Sequence, residues 1–455
     1  MTAPEPALTA GRDSYVRWRI VGLLAVASFV SYLLRTNMSV AGERMMSDLG
    51  LTQVQLGVVL AGFAWGYGLF QLPGGLLGEW LGGRKALALI AVAWGALNMA
   101  VGAVPTAGGA SVVAIIGTLT ALRFAMGAAQ APLYPIASGQ TIARWFPVTG
   151  WALPNGVLNA GLTLGSAATG PLIAWLATTV GWRLSFVLTG PLGLAIAGIW
   201  WWYARDRPEE HAAVRARELL LIKRGRAEGE QQVASRDWGV VLRDRNVLLV
   251  TVSYFCSNYV FYFFFNWLYI YLVDVRKFEA LKGGAFAAAP WVAGAVGAVL
   301  GGVACDRISK RYGFRWGPRV VSIVGLTLAG VFIIAAGAAA SPHVAVVFLC
   351  LCLAAQQFTD SAAWAAAMMV GGRHASAACG VLNTGGNVVG GIGALLVPIS
   401  ARALGWPAAL GIASVFALLG ALVWLWIEAD RPARAQPAPP VGRKGGLADR
   451  ELDAL

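Results

Sequence analysis

GVLNAG, residues 156–161, returns as GVLNTG at residues 380–385, 224 positions further along the chain. The same interval separates GW at 181–182 from GW at 405–406. A third pair, GGLLGEWLGGRK (74–85) and GGVACDRISKRYG (301–313), is displaced by nearly the same amount. Three matches in register point to an internal duplication of about half of the 455 residues. The duplicated material is apolar. Hydrophobic residues make up 58% of the chain, charged residues 13%, and mean hydropathy is +0.65. A soluble chain carries roughly a quarter charged residues. Parallel repeats of apolar helices are an architecture that holds a site between two halves near the middle of a bilayer.

Working outward from the repeat, twelve stretches are long enough to cross a bilayer, which takes about 20 apolar residues. They lie near 18–41, 56–79, 86–104, 112–138, 152–177, 184–203, 247–273, 284–305, 319–340, 344–371, 377–400 and 407–427. The expected organisation is a tail (1–17), a six-helix half (18–203), a charged linker (204–245), a second six-helix half (246–427) and a polar tail (428–455). The linker, rich in Arg, Lys, Glu and Asp, reads in part as an amphipathic helix. The formal net charge of +13 would suit nucleic acid. Its basic residues, however, sit between the apolar stretches, where they set topology, so no nucleic-acid partner is expected and both termini should be cytoplasmic. The first apolar run contains an arginine and no cleavage site, so it reads as a retained span in a cell-membrane protein surrounded by lipid. The five cysteines form no CxxC pair and the three histidines no cluster, so neither a metal site nor a cofactor is expected, and no nucleophile–base set suggests an enzyme.

Gly75, Leu77, Glu79, Gly82 and Arg84 resemble the G-x-L-a-D-r-x-G-r-r signature of the major facilitator superfamily, with Glu79 at the aspartate position. Gly302, Asp306, Arg307 and Arg311 resemble its second copy. The resemblance implies an all-α integral membrane protein with twelve transmembrane helices in two pseudo-symmetric six-helix halves. In it the acidic and basic residues of each motif form a latch that opens and closes as the halves rock. SYLLRTNMSVA (31–41), FAWGYGLFQLPGG (63–75), LRFAMGAAQAPLYP (122–135), GWRLSF (181–186) and NWLYIYL (266–272) further resemble the anion:cation symporter family within that superfamily. That resemblance implies transport of a small organic anion, such as a sugar acid or another carboxylate, by symport with protons or another coupling ion across the inner membrane.

The candidate site starts from Arg35, roughly 20–25 Å along the first span at 1.5 Å per residue. An ion at that depth is expensive and marks function. Tyr32 and Ser39 share its face. Arg123 in the fourth span is a second intramembrane guanidinium, followed on its face by Gln130 and Tyr134. A planar guanidinium fork suits a carboxylate. The resemblance assigns substrate contact to Arg35 and a coupling network to Arg123, and adds Tyr67, Ser361 and Trp364 to the pocket. Asn383 and Asn387, one turn apart in the eleventh span, are amides for substrate hydroxyls or for helix packing.

The departures are specific. The acid that precedes the first-span arginine in proton-coupled relatives is Leu34 here, and the fourth-span glutamate is Gln130. Neither side chain titrates. Asp360 stands deep in the tenth span, either as a relocated coupling acid or as a fixed counter-ion for an arginine. An organophosphate–phosphate antiporter is disfavoured because the seventh span lacks Lys and Arg between Asn246 and Asp274. An uncoupled facilitator and a non-transporting membrane sensor on a transporter fold remain open alternatives.

Overall fold

In the computed structural model, residues 14–105, 109–224, 239–278 and 280–431 are described. The expected tails beyond them and residues 225–238 of the linker lie outside the described residues. The chain is helical. The first half comprises α1 (Val16–Leu49), a bent pair α2a (Gln53–Leu69) and α2b (Gln71–Leu81), α3 (Gly83–Gly102), α4 (Val112–Gln130), α5 (Ala152–Thr179) and α6 (Trp182–Tyr203). The second comprises α7 (Arg245–Asn266), α8 (Ala280–Tyr312), α9 (Trp316–Ala338), α10 (Pro342–Gly371), α11 (Ala375–Leu404) and α12 (Trp406–Val423). Among the described residues ten apolar runs are long enough to cross a membrane, and the bent pair makes an eleventh. The longest run, 342–404, holds α10 and α11, joined by a single tight turn at Gly372–His374, so the spans number twelve.

Two spans depart from straight helices. The second bends by 51° between Leu69 and Gln71. Pro73 lacks the N–H that would bond the Leu69 carbonyl, and loss of that rung permits the kink. The fourth continues beyond α4 through a wide helical turn at Ala137–Ile142 and reaches Trp145. The linker does contain a short helix, Ala216–Arg224, and it docks on the start of α1. Its Glu218 carboxylate accepts from the Val16 and Arg17 amides at 3.3 and 3.1 Å, supplying an N-terminal cap from outside the helix.

Glycine decides which helices touch. A Cβ at Gly66 would run into the Phe124 carbonyl, and one at Gly127 into that of Phe63, so α2a and α4 cross backbone to backbone. With no hydrophobic drive between helices in lipid, such close approaches carry the packing. Within the halves α1 lies on α5, α3 on α6, α7 on α11 and α10 on both α8 and α9. The halves meet along two seams, α5 against α8 and α2b against α11. The bend matters at the second seam: α2b stays on α11, whereas α2a leans away from it. Replacement Gly127→Val should cost about 1–3 kcal/mol by forcing the α2a–α4 crossing apart. Thermal unfolding of the purified protein, followed by intrinsic fluorescence, checks this by a drop of several degrees.

Candidate functional site

The bend opens a cavity of about 750 Å³ between the halves. Its walls come from the second half of α1, from α2a and α4, from the end of α7 and from α11, and it lies away from the linker end of the bundle. Arg35 enters this cavity inside an aromatic box. Its guanidinium carbon lies 4.5 Å from the Tyr67 ring centre, 4.9 Å from Phe63, 5.1 Å from Tyr32 and 5.5 Å from Phe265. Nη1 donates to the Tyr32 hydroxyl at 3.2 Å. Four ring faces stabilise a cation by about 0.5–2 kcal/mol each without neutralising it. Among the described residues no carboxylate lies within ion-pair distance of Arg35.

Arg123, a candidate substrate contact, borders the same cavity, but its guanidinium is tied to backbone. Its side chain is only 4% exposed, and Nη2 donates to the backbone carbonyl of Arg35 at 2.8 Å. Its guanidinium lies 4.8 Å from the far side of the contact, the Phe63 ring. Arg123 thus lashes α4 to α1 at the residue whose guanidinium enters the cavity. Gln130 repeats the device two turns later: its Nε2 donates to the Ser31 carbonyl at 2.9 Å. Leu34 is fully buried in the apolar core, so the position of the missing acid does not face the cavity at all.

A second, smaller chamber of about 30 Å³, room for one or two waters, lies deeper in the bundle. Tyr67, Tyr262 and Asn387 border both spaces. The Tyr262 hydroxyl donates to Asn387 Oδ1 at 2.6 Å, and Asn387 Nδ2 donates to the Asn383 carbonyl at 2.7 Å. Asn383 in turn donates to Gln71 Oε1 at 2.7 Å and to the Tyr67 hydroxyl at 3.5 Å, which joins the two halves. The asparagines therefore serve packing and a polar partition in this conformation. Trp364 packs against Tyr134, with ring centres 5.5 Å apart, and donates to the Tyr254 hydroxyl at 3.2 Å. Asp360 reaches the same chamber and accepts from Asn159, the asparagine of the first repeat copy. No cation lies within ion-pair distance of Asp360 among the described residues, so it is not the fixed counter-ion of an arginine here.

Ser361 is a correction. Its hydroxyl donates to the Ala298 carbonyl at 2.7 Å, it is fully buried, and it lines neither cavity. Phe63 and Phe265 belong to the box but were not singled out from sequence. The signal was available: Phe63 precedes Tyr67 by four residues and Phe265 follows Tyr262 by three, each on the same helical face.

The signature motifs also differ from the expected acid–arginine latch. The Asp306 carboxylate accepts from the Ala152 and Leu153 amides, at 2.9 and 3.1 Å, at the start of α5. Glu79 accepts from the Ala377 amide at 3.2 Å at the start of α11, with His374 Nδ1 3.8 Å away. Neither helix start has a side-chain cap of its own. Each acid crosses to the other half and satisfies exposed amides at the positive end of a helix. Gly75 lets α2b approach α11, since a Cβ there would stand 2.6 Å from the Ser376 carbonyl. Gly82 adopts φ +80° beside Asp206. The basic residues lie elsewhere: the Arg84 amide donates to Asp206 and its guanidinium to the Trp201 carbonyl, Arg307 is exposed, and Arg311 lies over the Tyr312 ring.

The sequence profile described as Major Facilitator Superfamily matches residues 24–314. This chain belongs to the major facilitator superfamily. A probable sulfoacetate transporter of Cupriavidus necator is 31% identical over 376 residues, 82% of this chain and 85% of that protein. A D-galactonate transporter of Escherichia coli O6:H1 is 27% identical over 447 residues, 94% of this chain and 99% of that protein. Among solved structures, the superfamily's proton:xylose symporter superposes with a TM-score of 0.72 at 11% identity, covering 90% of this chain and 96% of that one. The fold is therefore the major facilitator fold, and the chain is a multi-pass membrane protein of a transporter superfamily, not an enzyme.

Two outcomes follow from this geometry. Arg35→Lys should leave folding intact but weaken anion binding about tenfold or more, the equivalent of one charge-assisted hydrogen bond of roughly 1.5–3 kcal/mol. Ligand-dependent thermal shifts on both proteins measure it. Glu79→Ala should release the start of α11 and speed maleimide labelling of the buried Cys379 several-fold, read by peptide mass spectrometry. Unchanged labelling would show that this contact does not hold the linker end shut.

Proposed function

We propose that this chain is a secondary transporter that moves a small organic anion, a carboxylate or sulfonate, across the inner membrane by alternating access. The observation that carries the reading is Arg35: a permanent charge within a membrane span, in a cavity between the halves, with aromatic faces around it and no carboxylate beside it. A bound anion is the partner its charge lacks, and the planar fork favours an oxyanion. The relatives named for sulfoacetate and galactonate transport support the same chemical class.

Arg123 and Gln130 position Arg35 by holding α4 on the α1 backbone. Tyr32 and Tyr67 shape the box, and Asn383, Asn387 and Trp364 become available to substrate when the polar partition opens. The Glu79 and Asp306 contacts hold the linker end, placed on the cytoplasmic side, shut while the cavity is open to the other. Their reversal with the rocking of the halves completes the cycle. Proton coupling is assigned to Asp360. It is the carboxylate of the inner chamber, it faces Tyr32, Tyr134 and Tyr254 with Asn159 as donor, and no cation compensates a charge there. A carboxylate so placed carries a proton at lower cost than a bare charge.

Uptake into proteoliposomes of sugar acids, sulfoacetate, aromatic acids and dicarboxylates, each with and without an inward proton gradient, tests the reading. Accumulation of one class above equilibrium only with the gradient is expected. Asp360→Asn should abolish gradient-driven accumulation while retaining exchange of labelled for unlabelled anion. Accumulation that survives the substitution would remove Asp360 from coupling. Transport that ignores the gradient in the unaltered protein would instead establish an uncoupled facilitator.

A further inference from the structure

A second concave basic site lies far from the central cavity, at the linker end of the second half. It encloses about 360 Å³. Its walls hold Arg245 at the start of α7, Arg315 and Arg319 at the start of α9, and Arg431 beyond α12, against the single carboxylate of Glu428. Four guanidiniums line the pocket with one acid, and Asp430 just outside it adds a second negative charge near Arg319. Glu428 is 2.6 Å from Arg431 and 3.8 Å from Arg315. Arg319 donates to the Leu425 and Ile427 carbonyls at 3.0 and 2.8 Å. The Nε atoms of Arg315 and Arg319 are buried and have no acceptor among the described residues. Arg245 has no carboxylate within ion-pair distance among them.

The internal repeat supplies a control for whether such charge is merely topogenic. RDRP at 205–208 and ADRP at 429–432 are 224 positions apart, the interval of the repeat. The matching corner of the first half therefore comprises the starts of α1 and α3 and the segment after α6. There two carboxylates are engaged, one on a helix-start amide and one also on an arginine. Asp206 accepts from the Arg84 amide at 2.8 Å. Glu218, from the linker helix, accepts from Ser14 Oγ at 2.6 Å and from the Arg17 amide, and its carboxylate is 3.9 Å from Arg17 Nε. The second half has no counterpart of Glu218 among the described residues. The repeat partner of Asp206 is Asp430, which acts on Arg319, so what this corner lacks among the described residues is a carboxylate placed as Glu218 is.

We propose that this arginine pocket binds a phosphate-bearing anion, held by the forks of Arg245 and Arg315. Several planar guanidiniums around one concavity match the geometry of a phosphate oxyanion better than that of a chloride or a lone carboxylate. Their mutual repulsion makes occupancy by an anion favourable. The surroundings place the ligand at a membrane surface. Leu425 and Trp426 line the pocket, Trp316 stands beside Arg319, and all three are about half exposed. Tryptophan at that exposure marks the headgroup level of a bilayer. An anionic phospholipid headgroup and free phosphate share the required chemistry, and the test separates them.

The full chain is placed in nanodiscs of phosphatidylcholine alone, of phosphatidylcholine with phosphatidylglycerol, and of phosphatidylcholine with inorganic phosphate in the buffer. Thermal stability and the lipids retained in native mass spectrometry are read for each. The comparison variants are Arg245→Gln with Arg315→Gln, Arg245→Gln alone, and Arg311→Gln as an exposed arginine of the same end outside the pocket. The unaltered protein should be stabilised by phosphatidylglycerol and retain it. Retention should fall about tenfold in the double variant, partly in Arg245→Gln, and not in Arg311→Gln. Arg245 is exposed at a helix start, so its neutralisation leaves folding intact. Stabilisation by inorganic phosphate alone, lost in the double variant, would assign the site to a soluble phosphate. Equal retention in all variants, or equal loss in Arg311→Gln, would overturn the proposal.

Discussion

Arg35 carries a charge it cannot lose, in a part of the molecule where lipid offers no compensation. The local architecture follows from that constraint. Aromatic faces surround the guanidinium and lower the cost of its burial without cancelling the charge. Arg123 and Gln130 donate to backbone carbonyls on either side of it, which holds the first and fourth spans together at that level. The bend beside Pro73 moves the second span aside, so that the charge meets a cavity instead of a packed seam.

The far end of the bundle solves a different problem with related means. Two carboxylates, one from each repeat, reach across to the amides that open a helix of the opposite half. A carboxylate on a helix start gains from hydrogen bonds and the helix dipole, yet these groups find water readily when the contact breaks. A fully buried ion pair would leave two uncompensated charges on opening. Under the proposed cycle, in which the contact opens repeatedly, the first arrangement is the better suited. The inner chamber follows the same economy of charge. Asp360 is held by an amide and surrounded by phenols, apart from both guanidiniums.

Much of this was legible in the residues. Span positions follow from hydropathy alone, because a bilayer demands long apolar helices whatever their partners. The kink has its cause in the FQLPGG stretch, where Pro73 removes a helical hydrogen bond. Arg35 and Tyr32 share a face, as helical spacing has them, and Tyr67, which the resemblance added, lies against the same guanidinium. Ser361 and Arg123 illustrate the limit. Ser361 lies outside both cavities and Arg123 borders one, but both donate to a backbone carbonyl of a neighbouring helix that spacing within their own helix does not reveal. The partners of Glu79 and Asp306 were misassigned for the same reason: nearby arginines are visible in sequence, whereas distant amide groups are not.

The sequence by itself determined the twelve spans, the duplication, the intramembrane arginine and the absence of a titratable neighbour at Leu34 and Gln130. These are properties of composition and of spacing along single helices. Tertiary structure decided which guanidinium sits in an aromatic box and which is bound to backbone, and which amides the motif acids accept from. Each of those outcomes depends on the geometry of backbone carbonyls, amides and carboxylates brought together from segments on the order of 100 to 300 residues apart. Every residue type carries the same backbone groups, so no residue pattern announces where they meet.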